Sequence, residues 1–368
     1  MQAGTSAGSP ANHGSNRPDL RRVACNPDYW YPLAQSRKLK RNKTLEVAFA
    51  GEPIVLVRTD SDKVFALEDR CAHRQFPLSK GLVCGEQIQC GYHAWRYDAT
   101  GAITTIPYIV TGVRPSRHVR AYPCREAYGL VFVFPGDPAL AEQTAFPELP
   151  WFESQDYKVM SFERDIACHY TFMHENLMDM NHQFLHRRLM GRVKPRLLSH
   201  GKGDGWVEAQ FRFDDGGGKK HRGASWLTIG GSDDETNFEI MTIRTEYPYQ
   251  TLKIAGIKTG SVPSLALWAA YVPTDRHERR SRSFGILLVK KPRMAFLLTL
   301  IWPVLRHFTE SVFAEDRMAV EAEQRAYETQ GGDWNQEIFP VTIELRDLLL
   351  ARGIKPVDGD VRYTSTAP

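Results

Sequence analysis

Apolar runs broken by turn formers dominate the first third of the chain. Leu45-Glu-Val-Ala-Phe-Ala, Ile54-Val-Leu-Val, Val64-Phe-Ala-Leu and Leu130-Val-Phe-Val-Phe are short and rich in β-branched or aromatic residues. Gly51-Glu-Pro and Asp60-Ser-Asp separate the first three. That pattern predicts strands, so the chain up to about residue 140 is expected to be all-β with long loops. The texture then changes. Tyr170 to Met190 is helical in pattern, residues 204–258 and 264–289 return to strand-like runs around Gly216-Gly-Gly, and Met294 to about Gln330 is helical again. The expected fold class is α+β: an all-β unit at 26–140, a linker at 141–150, and at 151–355 an antiparallel sheet flanked by helices. Residues 1–25 and 356–368 are expected to be tails, the first disordered because it is rich in Gly, Ser, Asn and Ala.

Composition narrows the class. The chain has 368 residues, 42% hydrophobic and 24% charged, which suits packed cores and excludes a disordered or fibrous protein. With 47 basic against 43 acidic residues and short basic runs, nucleic acid is not an expected partner. The first residues show no apolar signal segment, so a cytoplasmic setting is expected, with the six cysteines as buried thiols or metal ligands. The longest mainly apolar run, Met294–Leu305, is short of the roughly 20 residues a membrane span needs. It reads foremost as a buried helix, and otherwise as a lid over a substrate channel or a patch that makes peripheral membrane contact. No GxGxxG or P-loop occurs, which argues against nucleotide or flavin binding.

The most informative segment is Cys71-Ala-His73, sixteen intervening residues, and Cys90-Gly-Tyr-His93. Two thiolates and two imidazoles suit tetrahedral zinc or an iron–sulfur cluster of mixed ligation. Each pair contains one Cys and one His, so each of two loops can give one ligand to each of two irons, as in a Rieske [2Fe–2S] centre. Downstream, Glu175-Asn176-Leu-Met-Asp179-Met-Asn-His182-Gln-Phe-Leu-His186 puts two histidines four apart. On a helix both rings would share a face, with Asp179 one turn earlier on it. Alone, that spacing is weak evidence for a metal.

CAHRQFPLSKGLV…IQCGYHAWRYDATG resembles the Rieske loop pair of ring-hydroxylating oxygenases, with Ala72, Gly91 and Ala94 where that family usually has Pro, Pro and Gly. Asn176 to His186 resembles the Asn-x-x-Asp-x-x-His-x₃₋₄-His signature of the same family, and the style is closest to vanillate and dicamba O-demethylases. The resemblance implies a helix-grip-like catalytic domain and a mononuclear Fe(II) held by His182, His186 and a later carboxylate. Asp316 is the expected third ligand, with Glu315 its competitor and Glu310 a weaker one. It further implies that Asp179 hydrogen-bonds the first of those histidines and a cluster histidine, His93 rather than His73, of a neighbouring subunit in a homotrimer, with Asn176 near the iron at longer range. The expected activity is that of a terminal oxygenase using O₂. It would monooxygenate a hydrophobic, aromatic or polycyclic small molecule by hydroxylation or by O- or N-demethylation. Ring cis-dihydroxylation and a purely electron-transferring Rieske protein are the alternatives. Since no nicotinamide, flavin or Cys-x₄-Cys-x₂-Cys motif is present, electrons are expected from a separate NAD(P)H-dependent reductase or ferredoxin. Arg74, Lys80 and Arg96 are candidate docking cations beside the cluster loops. Trp226, Trp268, Phe284, Met241 and Leu267 are apolar candidates for core or pocket.

Overall fold

The computed structural model describes residues 18–108, 115–215, 239–256 and 262–355. Trp226, Gly216-Gly-Gly, most of the first tail and the last tail lie outside the described residues. The expected early strands form where the alternation put them. Lys43–Phe49, Glu52–Arg58 and Val64–Glu68 make an antiparallel meander, with Ala121–Tyr122 added on the far edge. A small four-stranded sheet of Leu82–Cys84, Gln87–Gln89, Arg96–Tyr97 and Ile103–Thr105 carries the Cys–His loops. Tyr31–Gln35, Leu130–Val133 and Cys124–Ala127 form a third sheet. Val55, Val57, Leu67, Leu78, Ile88 and Tyr97 close a compact core around Cys71 and Cys90.

The second half is built on a seven-stranded antiparallel sheet. Its spatial order is Tyr157–Ile166, Ser281–Lys290, Leu265–Pro273, Tyr249–Gly256, Glu239–Glu246, Trp206–Asp215 and Val193–Gly203. Side chains of a strand alternate between two faces. Trp268, Phe284, Ile286 and Leu288 therefore enter the main core, where the Trp268 ring meets Phe132 of the N-terminal half. Leu265, Leu267, Leu287 and Val289 point to the other face and line a cavity. Gly285 falls on this cavity face, and a Cβ there would stand 1.8 Å from the Phe162 ring. Its missing side chain lets Phe162 lie across the sheet.

The late helical pattern becomes one helix, Ala295–Gln330, followed by Pro340–Arg352. Among the described residues, no helix is long and apolar enough to cross a membrane. The apolar run Met294–Leu305 is not the buried helix expected: Leu298 and Leu305 are buried, while Phe296, Leu300 and Val304 are exposed. Composition also misjudges residues 18–25. Leu20, Val23 and Cys25 are buried, and Ala24 pairs with Ile354. Arg21 and Arg346 both grip Glu175, and Arg346 also holds Asp333. This buried cluster ties the chain's start to its last helix and to the helix Tyr170–Met178. Four apolar residues in a polar stretch are too few to show periodicity, so only tertiary packing reveals them.

Candidate metal centres

The two Cys–His loops have the same backbone design. The N–H of Cys71 bonds the Phe76 carbonyl and the N–H of Gln75 bonds the Cys71 carbonyl; Cys90 repeats this with Trp95 and Ala94. Gln75 and Ala94 both take the left-handed conformation that such a tight return requires, with φ of 59° and 57°. Glycine would adopt it without steric cost, whereas an alanine costs about 1 kcal/mol. Both sulfurs are buried, His73 is exposed, His93 is half-buried, and the two imidazole rings lie 4.5 Å apart. The tips of the loops thus present imidazoles outward and thiols inward. Burial, above all, pushes the Cys90 thiol up from its ordinary value. A pair of buried thiolates needs a cation, and a metal cluster supplies one.

Two neighbours that the motif did not single out complete the loops. Trp95 stacks on His73 with centroids 4.7 Å apart and planes 3° from parallel. The Tyr97 hydroxyl accepts the Ala72 N–H and lies 3.0 Å from Cys71 Sγ, where it would donate to the sulfur of a thiolate. Hydrogen bonds to cluster sulfurs tune reduction potential. Tyr97 follows Cys90 by seven residues in the short strand Arg96–Tyr97, outside the ligand motif, where an aromatic reads as ordinary core. The Cys84 thiol faces Gln89. Lys80 is exposed but pairs with Glu46, Arg96 is half-buried and bonds Gln89, and Arg74 is exposed.

The second group is assembled differently from the continuous helix expected. The first helix ends at Met178, and Asp179 both caps it and starts the 3-10 turn Met180–Phe184. Arg187–Met190 is a separate short helix. The break changes the role of Asp179. Its carboxylate accepts from the Asn181 backbone and side chain, while its backbone carbonyl faces His182 Nδ1. Within one chain it therefore orients His182 through the carbonyl, not through the carboxylate as the resemblance implied. Asn176 is half-buried in the helix before it, outside the cavity wall.

His186 Nδ1 lies 2.8 Å from Glu315 Oε2. Both imidazoles thus spend Nδ1–H on an acceptor and aim Nε2 at Asp316 Oδ1, at 3.6 Å from His182 and 3.0 Å from His186. That oxygen is buried and has no hydrogen-bond partner of sound geometry. Two nitrogen lone pairs facing a buried carboxylate oxygen repel it unless a cation sits between them. Burial works against a charged His186 ring, yet Asp316 and Glu315 outweigh it and raise its pKa, so the site calls for positive charge. Two imidazoles and one carboxylate within 4.8 Å of one another are a donor set for a divalent metal. Glu310 is elsewhere, paired with Arg164 at 2.9 Å.

These donors form part of the wall of a cavity of about 250 Å³. Met160, Phe162, Met241, Leu267, Trp302 and Phe313 are among its apolar walls. Of the five apolar candidates, Met241 and Leu267 line it, Trp268 and Phe284 are core, and Trp226 is not described.

Comparison with known proteins agrees with this layout. Residues 29–123 match the Rieske [2Fe-2S] domain, and residues 166–340 match the vanillate O-demethylase oxygenase C-terminal domain. A 4beta-methylsterol monooxygenase of Methylococcus capsulatus is 30% identical over 351 residues, 91% of this chain and 90% of that one. The chain belongs to the Rieske oxygenases. The dicamba O-demethylase oxygenase component of Stenotrophomonas maltophilia is 32% identical over 194 residues, 51% of this chain and 56% of that one. A crystal structure of dicamba monooxygenase bound to 3,6-dichlorosalicylic acid shares the fold with a TM-score of 0.70 at 24% identity, covering 91% of this chain and 99% of that one. Like other Rieske oxygenases of the vanillate and dicamba O-demethylase type, the protein is an iron-dependent monooxygenase. It acts on a small molecule and draws electrons from a separate redox partner.

Proposed function

We propose that this Rieske oxygenase holds a [2Fe–2S] cluster with Cys71 and Cys90 on one iron and His73 and His93 on the other. Fe(II) is held by His182, His186 and Asp316. The observation that carries the reading is the orphaned Asp316 oxygen, set against two Nε2 atoms in the wall of a mainly apolar cavity. When bound, the cluster relays single electrons and the Fe(II) activates O₂. The residues of the chain do the rest. Glu315 and the Asp179 carbonyl fix the rings, and the apolar walls exclude water and select the substrate.

The substrate is a hydrophobic aromatic or polycyclic molecule. The cavity's apolar lining supports this, as do relatives whose names specify methylsterols, dicamba and vanillate. The test is turnover under ¹⁸O₂ with a 4-methylsterol and an O-methylated aromatic acid, using a ferredoxin–reductase pair as electron source. One labelled oxygen is expected in the hydroxylated sterol; from the O-methylated acid it is expected in the released formaldehyde, read before exchange with water, and none in the demethylated acid. In both cases the other oxygen leaves as water. Two labelled oxygens in a diol would replace this reading by cis-dihydroxylation.

In a homotrimer, Asp179 of one subunit would stand against His93 of its neighbour, and this contact would join the cluster of one subunit to the iron site of the next. Two exposed aromatic residues support such a contact: Tyr92 beside His93, and Phe184 two residues after His182. Asp179→Asn keeps the carbonyl that orients His182, so both metals are expected to stay bound. Turnover should fall by roughly 10–100-fold, the usual cost of losing a partner that supports a metal ligand. Normal turnover with the physiological reductase would remove Asp179 from the electron path.

A further inference from the structure

The long helix has an inverted beginning. Leu298 and Leu305 are buried, and Trp302 and Leu305 help wall the cavity. On a helix that turns about 100° per residue, Leu300 lies about 200° from Trp302, so the two face opposite ways. The outward face carries Phe296, Leu297, Leu300, Pro303 and Val304, with Phe296 61% and Leu300 70% exposed. These positions, spaced by three and four, make one continuous apolar stripe on the surface. A stripe of this kind on a monomer marks a contact surface.

Charge identifies the partner. No acidic residue occurs between Glu278 and Glu310. Lys290, Lys291 and Arg293 precede the stripe and Arg306 follows it. Lys158 lies over the Trp302 ring at 4.7 Å and bonds Thr299. Asp156, whose carbonyl accepts the Lys291 N–H, is outnumbered, and Glu310 is paired with Arg164. An apolar stripe bordered by cations matches an interface of anionic headgroups over acyl chains. The same turns of helix form the outer stripe and the cavity wall, so a molecule dissolved in the bilayer would need to cross only this helix to reach the iron site.

We propose that the first turns of the helix Ala295–Gln330 are a monotopic docking surface for an anionic lipid bilayer, through which a membrane-dissolved substrate enters the cavity. The route of entry rests on the oxygenase reading; the docking does not.

The test is co-sedimentation of the full-length protein with sucrose-loaded vesicles of phosphatidylcholine alone or with phosphatidylglycerol. Binding to the anionic vesicles is expected to exceed that of a Phe296→Ser/Leu300→Ser double variant, and that of a Lys290→Gln/Arg293→Gln variant, by about tenfold or more. Binding by the parent no greater than by these variants would overturn the proposal. So would a change in oligomeric state by light scattering in the Ser variant, because the stripe would then be a subunit interface. Visible and EPR spectra and metal content are read on the same samples. Absence of docking by the parent protein with intact metal signals rejects the surface alone, and docking by the parent without metal signals rejects the oxygenase assignment alone.

Discussion

Asp316→Ala is expected to abolish oxygenation while leaving the cluster spectrum and the fold intact. Asp316 is the single carboxylate oxygen facing both His182 Nε2 and His186 Nε2, and it reaches them from a helix more than a hundred residues downstream. Alanine removes one of three ligands and leaves two neutral imidazoles, which hold Fe(II) poorly. The loss should exceed the roughly 10–100-fold expected for Glu315→Gln, which alters only the partner that orients His186. Iron analysis and turnover on the two variants separate the roles. If Glu315→Gln lost the mononuclear iron and Asp316→Ala kept it, the ligand assignment would be reversed. Cluster colour guards against misfolding as the explanation, since the loops of Cys71 and Cys90 pack in a core of their own.

Cys71→Ser is expected to have an equally large effect on a different observable. The thiol is buried beneath the loop, 3.0 Å from the Tyr97 hydroxyl. Serine is a poor iron ligand at neutral pH because its hydroxyl stays protonated where a thiol ionises. The variant should be colourless, without acid-labile sulfide or a Rieske EPR signal on reduction. The parent should contain about three irons and two sulfides per chain, and the variant about one iron. Turnover should vanish because electrons have no entry point, although the His182–His186–Asp316 site remains. Sulfide and signal retained at parental levels would mean that Cys71 is not a ligand. Zinc without sulfide in the parent would overturn the cluster altogether.

The cluster half of the protein is almost wholly legible in its amino-acid sequence. Short alternating runs set the strands, and a Cys–His pair in each of two loops keeps its meaning because the ligands are local to the loops. The loops hold themselves with their own backbone bonds, as Cys71–Phe76 and Cys90–Trp95 show. The Met294–Gln330 pattern likewise becomes the helix Ala295–Gln330. The segment Tyr170–Met190 reads as one helix, wrongly, because its composition permits helix throughout. The stop at Asp179 comes from side-chain capping of the next turn, a choice that propensity cannot resolve.

By itself, the order of residues determined the strand-rich first half and the candidacy of Cys71, His73, Cys90 and His93 as cluster ligands and of His182 and His186 as iron ligands. Local chemistry suffices for each, because periodicity and ligand spacing act over a few residues. Only the tertiary structure distinguished the places of Asp316 and Glu315. They are adjacent in sequence, yet one faces both Nε2 atoms and the other bonds the far side of His186. It also decided which apolar residues line the cavity and which fill the core, and that Leu20, Val23 and Cys25 belong to the folded body. Those outcomes depend on which surfaces distant segments bring together, and burial is a property of the packed chain, not of any stretch of it.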